Sequence, residues 1–192
     1  MTARRVMQRQ GGRTENNRKA VAQAVLKLLA RGHLLFTIQD VADLSGIHRT
    51  TIRRRWPDRD ALMAEAMAEH TASFSVDLRG DWQRVMRRIG FGLRDFMTDP
   101  TESGLNRLLA VTDSAEFTNA VTRQWGVLFA DLGKPLVEAQ KRGLIAREAD
   151  IPLILLSLAS TFLTLTVYSR RRPSDRATER LIKQAIRGMR PD

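Results

Sequence analysis

Residues 37–59 read TIQDVADLSGIHRTTIRRRWPDR, and this stretch decides the fold of the chain. Thr37 and Asp40 form a pair like a capping box, which predicts that a helix begins there. Gly46 can take the positive φ that a turn between two helices needs. A second short helix is predicted over residues 48–55, and the tryptophan–proline pair after it ends that helix. The stretch therefore predicts two helices joined by a tight turn.

The second of these helices has a mostly polar surface, since only Ile52 and Trp56 are clearly apolar. Arginine can bond guanine edges with two hydrogen bonds, and threonine can bond a base or touch a thymine methyl. An exposed helix of this composition behind a helix and a turn suits the DNA major groove. The alternative is a solvated charged helix, in which the arginines at 53–55 only favour the negative end of the helix dipole.

A longer ordered pattern surrounds this stretch. A helical segment over residues 18–31 ends at Gly32, and the pattern continues as Thr37-Ile38-Gln39-Asp40-Val41-Ala42, Gly46-Ile47, Thr51-Ile52, Arg54-Arg55-Trp56-Pro57 and Arg59-Asp60-Ala61-Leu62. In this order, residues 18–65 resemble the DNA-binding domain of the TetR family of bacterial transcription regulators. The resemblance implies an all-α protein. It would have an N-terminal three-helix helix-turn-helix DNA-binding domain and a C-terminal helical ligand-binding and dimerisation domain.

Three positions depart from the family pattern. His48 stands where the family usually has a serine helix cap, Arg53 replaces a tyrosine that touches a phosphate, and Arg59 replaces a lysine. Both arginines keep the capacity to bind phosphate, and we expect Arg49 to read a base. The predicted DNA-contacting residues are Thr37, His48, Arg49, Thr50, Thr51, Arg53, Arg54 and Arg59.

We expect three parts in the chain: a flexible basic arm at 1–13, a helix-turn-helix domain at 14–60, and a helical ligand-binding and dimerisation domain at 61–192. The first helix is expected to begin at Thr14. The arm is either a disordered tail or a segment that contacts DNA. It carries Arg4, Arg5, Arg9 and Arg13 around the pair Gly11-Gly12.

The basic charge is concentrated in the N-terminal third. Residues 1–59 hold 13 Lys and Arg against 4 Asp and Glu, a net of +9, whereas residues 60–192 hold 19 against 17, a net of +2. A polyanion partner requires such a localised positive charge, so double-stranded DNA is the expected partner.

The C-terminal part shows helical periodicity and no alternating strand pattern. A helix is expected to run from Asp58 to about Leu78. Residues 151–169 are apolar over nearly the length of a membrane span. Six Ser and Thr residues interrupt the segment, and it stands alone among amphipathic helices, so it favours a buried helix and no membrane. With the striped segment 174–187 it predicts a four-helix interface in a homodimer.

An unidentified small-molecule effector is expected in the same domain. Few charges interrupt its apolar stripes, which favours an apolar ligand. Its candidate pocket residues are Met86, Phe96, Trp125, Phe129, Thr161 and Phe162.

Catalytic and metal-binding motifs are missing from the sequence, so we expect neither an enzyme nor a cofactor. The chain has no cysteine, which is compatible with the expected cytoplasmic location. The leading hypothesis is a ligand-responsive dimeric repressor that binds a palindromic operator. The alternative is a basic helical architectural protein that binds nucleic acid without sequence preference.

Overall fold

A computed structural model of the protein describes residues 8–191 of the 192-residue chain. Within these residues the chain forms nine α-helices and no β-strand, so the predicted all-α class is confirmed. The helices are α1 Gln8–Ala30, α2 Ile38–Ser45, α3 Arg49–Arg55, α4 Arg59–Ser73, α5 Trp82–Met97, α6 Pro100–Leu109, α7 Ala115–Lys141, α8 Ile151–Val167 and α9 Asp175–Gly188.

Helix α1 begins earlier than predicted, at Gln8 and not at Thr14. The boundary of the expected arm at residue 13 is therefore wrong, because residues 8–13 are helical. Glutamine and arginine are good helix formers, and here they outweigh the cost of about 1 kcal/mol that each glycine of Gly11-Gly12 brings. The remainder of the expected arm, residues 1–7, lies outside the described residues.

The helix-turn-helix forms as its local signals predict. The backbone N–H of Asp40 donates to the Thr37 hydroxyl at 3.2 Å, and the Thr37 N–H donates to the Asp40 carboxylate at 2.6 Å. Gly46 takes a φ of +70° and donates its N–H to the Ala42 carbonyl, which ends α2. Helix α3 is anchored from below by Ile52, which is fully buried. Its other side is thereby held toward solvent.

The N-terminal core is built mainly from α1 and α4. Helix α4 buries Leu62, Met63, Ala66 and Met67 in it, so the predicted domain boundary at residue 60 is wrong and falls inside the domain's own core. The core also takes in side chains from α6 and α7, namely Leu105, Leu108, Phe117 and Val121. Apolar packing therefore joins the two halves of the molecule directly.

Helix α4 ends at Ser73, five residues before the predicted end near Leu78. The segment 74–80 that follows is not helical. Its alternate residues Phe74, Val76 and Leu78 pack against the C-terminal core, and aromatic and β-branched residues suit such extended backbone. Gly92 of α5 makes room for this segment, because a Cβ there would lie 2.5 Å from a methyl of Val76.

The C-terminal core is shared by α5, α7, α8 and α9. Its centre is formed by fully buried side chains that include Val85, Met86, Ile89, Leu93, Leu136, Leu155, Phe162 and Ile182. The apolar helix α8 contributes one side to this core and, within a single chain, exposes the other. Between residues 8 and 191, no helix has the length and apolar character needed to cross a membrane.

Helices α1 and α6 approach each other closely at Gly104. A Cβ built at this residue would lie 2.3 Å from the carbonyl oxygen of Leu29, which is backbone and cannot rotate away. Only glycine allows α6 to lie against the last turn of α1 at this distance.

We predict that Gly104→Ala lowers the free energy of unfolding by about 1–3 kcal/mol, because the added methyl forces α1 and α6 apart. The matched control is Gly126→Ala in α7, where an added Cβ meets nothing within 4 Å. That change should raise the free energy of unfolding by about 0.5–1 kcal/mol through helix propensity. Urea unfolding followed by circular dichroism measures both. Equal effects of the two substitutions would contradict the close contact.

Candidate nucleic-acid interface

The outer side of α3 carries exposed polar side chains at its beginning and near its end. Arg49 and Thr50 are exposed in the first turn, Thr51 is half-buried, and Arg53 and Arg54 are exposed. None of these three arginines forms an ion pair with an acidic residue in the part of the chain that the structure describes. The helix therefore presents guanidinium groups that are free to bind a polyanion.

His48 is the N-cap of α3. Its Nδ1 accepts a long hydrogen bond of 3.4 Å from the backbone N–H of Thr50 and lies 2.8 Å from the Thr50 hydroxyl. The imidazole thus performs the capping that serine or threonine usually performs. The Thr50 hydroxyl can donate to this ring nitrogen, and its methyl group and lone pairs stay available to a partner.

Thr37 is committed to the start of α2. Its backbone N–H and, to a smaller degree, its hydroxyl, which donates to the Asp40 carboxylate at 2.8 Å, lower the pKa of Asp40 below its ordinary value. The cap is therefore intact above the ordinary pKa of an aspartate and is lost only as the pH falls through the lowered value. A phosphate at Thr37 would have to compete with this carboxylate.

Arg59 does not face outward as the sequence predicted. Its guanidinium donates to the backbone carbonyl of Leu34 and lies over the ring of Phe36, 5.2 Å from the ring centroid. The side chain thereby ties the start of α4 to the link between α1 and α2. The predicted phosphate contact of Arg59 is not supported by this structure.

Arg55 likewise turns away from the outer side of α3. Its guanidinium lies 5.1 Å from the centroid of the Trp56 ring and donates to the Thr14 carbonyl at 3.5 Å. The run Arg53–Arg55 therefore divides into two arginines that face solvent and one that braces α3 against α1. Successive residues of an α-helix are rotated by about 100° around its axis, so neighbouring arginines in the last turn face different directions.

A groove between α2 and α3 adds one residue that the sequence reasoning did not single out. Gln39 lies in this groove with His48 and Arg49, and its amide donates to Asp43 at 2.7 Å. An exposed glutamine on the outer side of α2 has the donors and acceptor that suit a base edge or a phosphate. Gln39 lies opposite the start of α3 because of the turn at Gly46. Sequence periodicity alone does not predict how that turn orients the two helices.

The six predicted pocket residues lie in or beside the cores and do not line the apolar cavity between α4, the segment 74–80 and α7. Met86 and Phe162 are fully buried, Phe96 and Phe129 are buried, and Trp125 packs against both cores. Thr161 is half-buried, and its hydroxyl donates to the Ser157 carbonyl at 2.8 Å. Four of the six, Met86, Phe96, Phe129 and Phe162, therefore belong to the C-terminal core.

A cavity of about 590 Å³ lies between the end of α4, the segment 74–80 and α7. Its walls are mostly apolar, and Arg123 and Asp131 stand among them. The lining residues are Ala68, Thr71, Ala72, Phe74, Ser75, Val76, Leu78, Arg123, Gln124, Val127, Leu128, Asp131 and Leu132. In the described part of the chain, no group of three or more His, Asp or Glu side chains is arranged to hold a metal ion.

The fold is shared with solved structures of bacterial regulators. The chain aligns over 90% of its length with 98% of a proposed TetR-family transcriptional regulator from Rhodococcus sp., with a TM-score of 0.71 and 15% identity. For the TetR-family regulator SCO0332 the TM-score is 0.69 and the identity 21%, over 91% of this chain and 99% of that one. For a TetR regulator from Agrobacterium tumefaciens the TM-score is 0.69 and the identity 19%, over 88% of this chain and 90% of that one.

The chain has the TetR-family fold. No protein-family model and no curated protein matches its sequence. The alignment with TetR-family structures extends over both halves of the molecule, well beyond residues 18–65, where the sequence resemblance lies. The C-terminal half therefore shares the TetR fold although its sequence carries no recognisable family motif.

The exposed positions of Arg49 and Arg53 predict different effects on DNA binding. Arg49 stands in the first turn of α3, the part that enters the groove first in helix-turn-helix proteins, and Arg53 stands one turn later. We predict that Arg49→Ala weakens binding by about 1–3 kcal/mol and relaxes the preference at one base pair of each half-site. Arg53→Ala should weaken binding to all sequences alike.

Binding-site selection with the two variants measures this difference. Arg55→Ala is the matched control in the same helix, because Arg55 faces α1, and it should leave the selected sequence unchanged. A selected sequence that is identical for the wild type and Arg49→Ala would refute the base-reading role of Arg49.

Proposed function

We propose that the protein is a DNA-binding transcriptional regulator in which α3 enters the major groove. The observation that carries the proposal is the outer side of α3, where Arg49, Arg53 and Arg54 are exposed without ion pairs to described residues. Buried Ile52 and Trp56 fix the rotation of the helix, which leaves all three arginines exposed. A rigid helix with its first turn exposed is the geometry that major-groove reading needs.

Within this proposal the residues have separate roles. Arg49, with Thr50 and Gln39 beside it, reads base edges, because arginine and glutamine make paired hydrogen bonds to guanine and adenine. Arg53 and Arg54 bind phosphates and fix the position of the helix on the duplex. Arg59 acts from within the domain by holding the α1–α2 link in place.

A homodimer formed through α8 and α9 would place two α3 helices on one operator. The exposed side of α8 holds a stripe at helical spacing that mixes large apolar and small hydroxyl side chains, namely Leu153, Leu156, Ser157, Ser160 and Thr164. Leu153 is 56% exposed and Leu156 45% exposed, which is unfavourable for side chains on a helix this apolar. A second copy of the chain would cover this stripe, and two-fold symmetry suits a palindromic operator.

The 590 Å³ cavity is the proposed effector site, and its walls favour an apolar small molecule. Thr71 and Ala72 in its wall belong to the last turn of α4, whose earlier turns form the N-terminal core. A ligand that favours one position of this turn would therefore alter the placement of the helix-turn-helix. We propose that such a ligand lowers operator affinity, which makes the protein a ligand-responsive repressor.

The alternative function is an architectural protein that binds nucleic acid without sequence preference. The net charge of +9 on residues 1–59 favours it, since charge alone supplies non-specific affinity. Competition between a selected operator and random duplex separates the two functions. A regulator keeps its operator complex in an excess of random duplex, whereas an architectural protein is displaced in proportion to duplex mass.

The first prediction of the proposal concerns salt. Arg53 and Arg54 of two subunits would neutralise four phosphates, so log affinity should fall against log salt with a slope of about −3 to −4. The variant Arg53→Ala should make this slope less steep by about two units in a dimer. Fluorescence anisotropy with a labelled duplex at several salt concentrations gives the slopes. A slope near zero for the wild type would exclude the proposed docking.

A second prediction concerns self-association. Leu156→Asp should convert the dimer to a monomer at micromolar concentration, because an unpaired charge inside an interface is costly. The residue is exposed within one chain, so the helix content should not change. Val111→Asp is the matched control, since Val111 is also exposed, at 72%, but lies between α6 and α7. Sedimentation velocity measures the oligomeric state of the wild type and both variants. A monomeric wild type would contradict the proposed interface.

A third prediction places the effector. Ala72→Trp should fill the cavity and abolish binding of the neutral apolar dye Nile red, while the fold and DNA affinity remain. Ala130→Trp on the exposed side of α7 is the control, because Ala130 does not line the cavity, and it should bind the dye like the wild type. Dye fluorescence that is equal in both variants would place apolar ligands elsewhere.

A further inference from the structure

A second cavity, of about 410 Å³, lies between α6 and the end of α8 and is separate from the apolar cavity. It is lined by Ser103, Arg107, Thr166, Val167 and Arg170. Neither of its two arginines forms an ion pair with an acidic residue of the described chain. Two unneutralised guanidinium groups in one concave site create a positive potential there, which favours an anion.

Ser103 supplies a hydrogen-bonding group without a partner. Its hydroxyl oxygen is buried and makes no hydrogen bond in the structure. Arg107 is oriented beside it, because its Nε donates to the Ser103 backbone carbonyl at 3.2 Å. The two terminal nitrogens of that guanidinium remain available. A buried hydroxyl without a partner is uncommon in proteins, and it needs a reason.

Arg170 has a backbone conformation that normally belongs to glycine. Its φ is +49°, and it is the one described non-glycine residue with a positive φ. The N–H of Arg171 donates to the carbonyl of Leu165 at 3.1 Å, so the left-handed Arg170 lies in the turn that follows the end of α8. Glycine would fill this position without strain. An arginine there is strained, and strained residues of this kind cluster at ligand-binding and other functional sites.

The negative end of the α8 dipole explains only part of this arrangement. A cation near the end of a helix is favourable in itself, and the neighbouring Arg171 and Arg172 already supply two. Arg172 forms an ion pair with Asp95 at 2.8 Å, so its charge is already neutralised. The dipole requires neither the left-handed backbone of Arg170 nor an unpartnered hydroxyl at Ser103.

We propose that Ser103, Arg107 and Arg170 form a binding site for a small molecule that carries an oxyanion group, a phosphate or a carboxylate. Arginine matches these groups because its planar donors can bond two oxygens at once. The Ser103 hydroxyl donates a further hydrogen bond. The cavity exceeds the size of a bare phosphate ion, and Val167 forms an apolar wall for the rest of the molecule.

The test is isothermal titration of the full chain with inorganic phosphate and, separately, with succinate, at constant ionic strength. Constant ionic strength matters because a chain of net charge +11 attracts all anions weakly. The wild type should bind at least one probe with a saturable isotherm, and the better probe identifies the oxyanion. Arg107→Gln and Ser103→Ala should weaken that binding at least several-fold.

The decisive variant is Arg170→Gly. It should bind the probe at least tenfold more weakly and yet have a higher melting temperature without the probe, because glycine removes the backbone strain. Arg171→Gln is the matched control, since it removes one charge from the neighbouring position but does not line the cavity. It should bind like the wild type. The proposal is overturned if the wild type binds neither probe saturably, or if Arg171→Gln weakens binding as much as Arg170→Gly.

Discussion

The buried side chain of Glu102 lies where the two halves of the molecule meet. This side chain of α6 is fully buried, accepts a hydrogen bond of 2.9 Å from the Asn106 amide, and lies 3.0 Å from Nε2 of His70 in α4. These two atoms lie within contact distance but do not meet the geometry of a hydrogen bond. Burying a carboxylate costs several kcal/mol. Glu102 is therefore tolerated only while α4 and α6 keep their present positions relative to each other.

This constraint links the proposed effector cavity to the DNA-facing helices. His70 also stacks on Phe96 of α5, with ring centroids 4.6 Å apart, and Thr71 in the cavity wall is the next residue of α4. On the other side of α6, Gly104 lies against the backbone of α1. The last turn of α4 is therefore held between α5 and α6. Under the proposed function, a ligand at Thr71 that shifts this turn must either break the contact between His70 and Glu102 or move α6 together with α4.

The sequence predicts those features whose causes are local. The capping box at Thr37 and the left-handed turn at Gly46 depend on residues within one helical turn, so they could be derived without tertiary structure. Features that depend on distant partners could not. Arg59 turns inward because of the Leu34 carbonyl, 25 residues away in sequence, and the cavity exists because α4 gives way to extended backbone at Phe74. Helical periodicity marks apolar residues, but it does not distinguish a core side chain such as Met86 from a cavity wall.

Under the proposed function, the net charge of the N-terminal third overstates the charge available to DNA, because contacts within the fold engage part of it. Arg18 of α1 is neutralised by Glu15, Glu65 and Glu69, and thereby joins α1 to α4. Arg55 and Arg59 donate to backbone carbonyls within the domain. Only cations that exchange counterions for phosphates contribute to the salt dependence of binding. The helix-turn-helix thus separates its arginines by position: those on the inner side stabilise the domain, and those on the outer side of α3 remain for the polyanion.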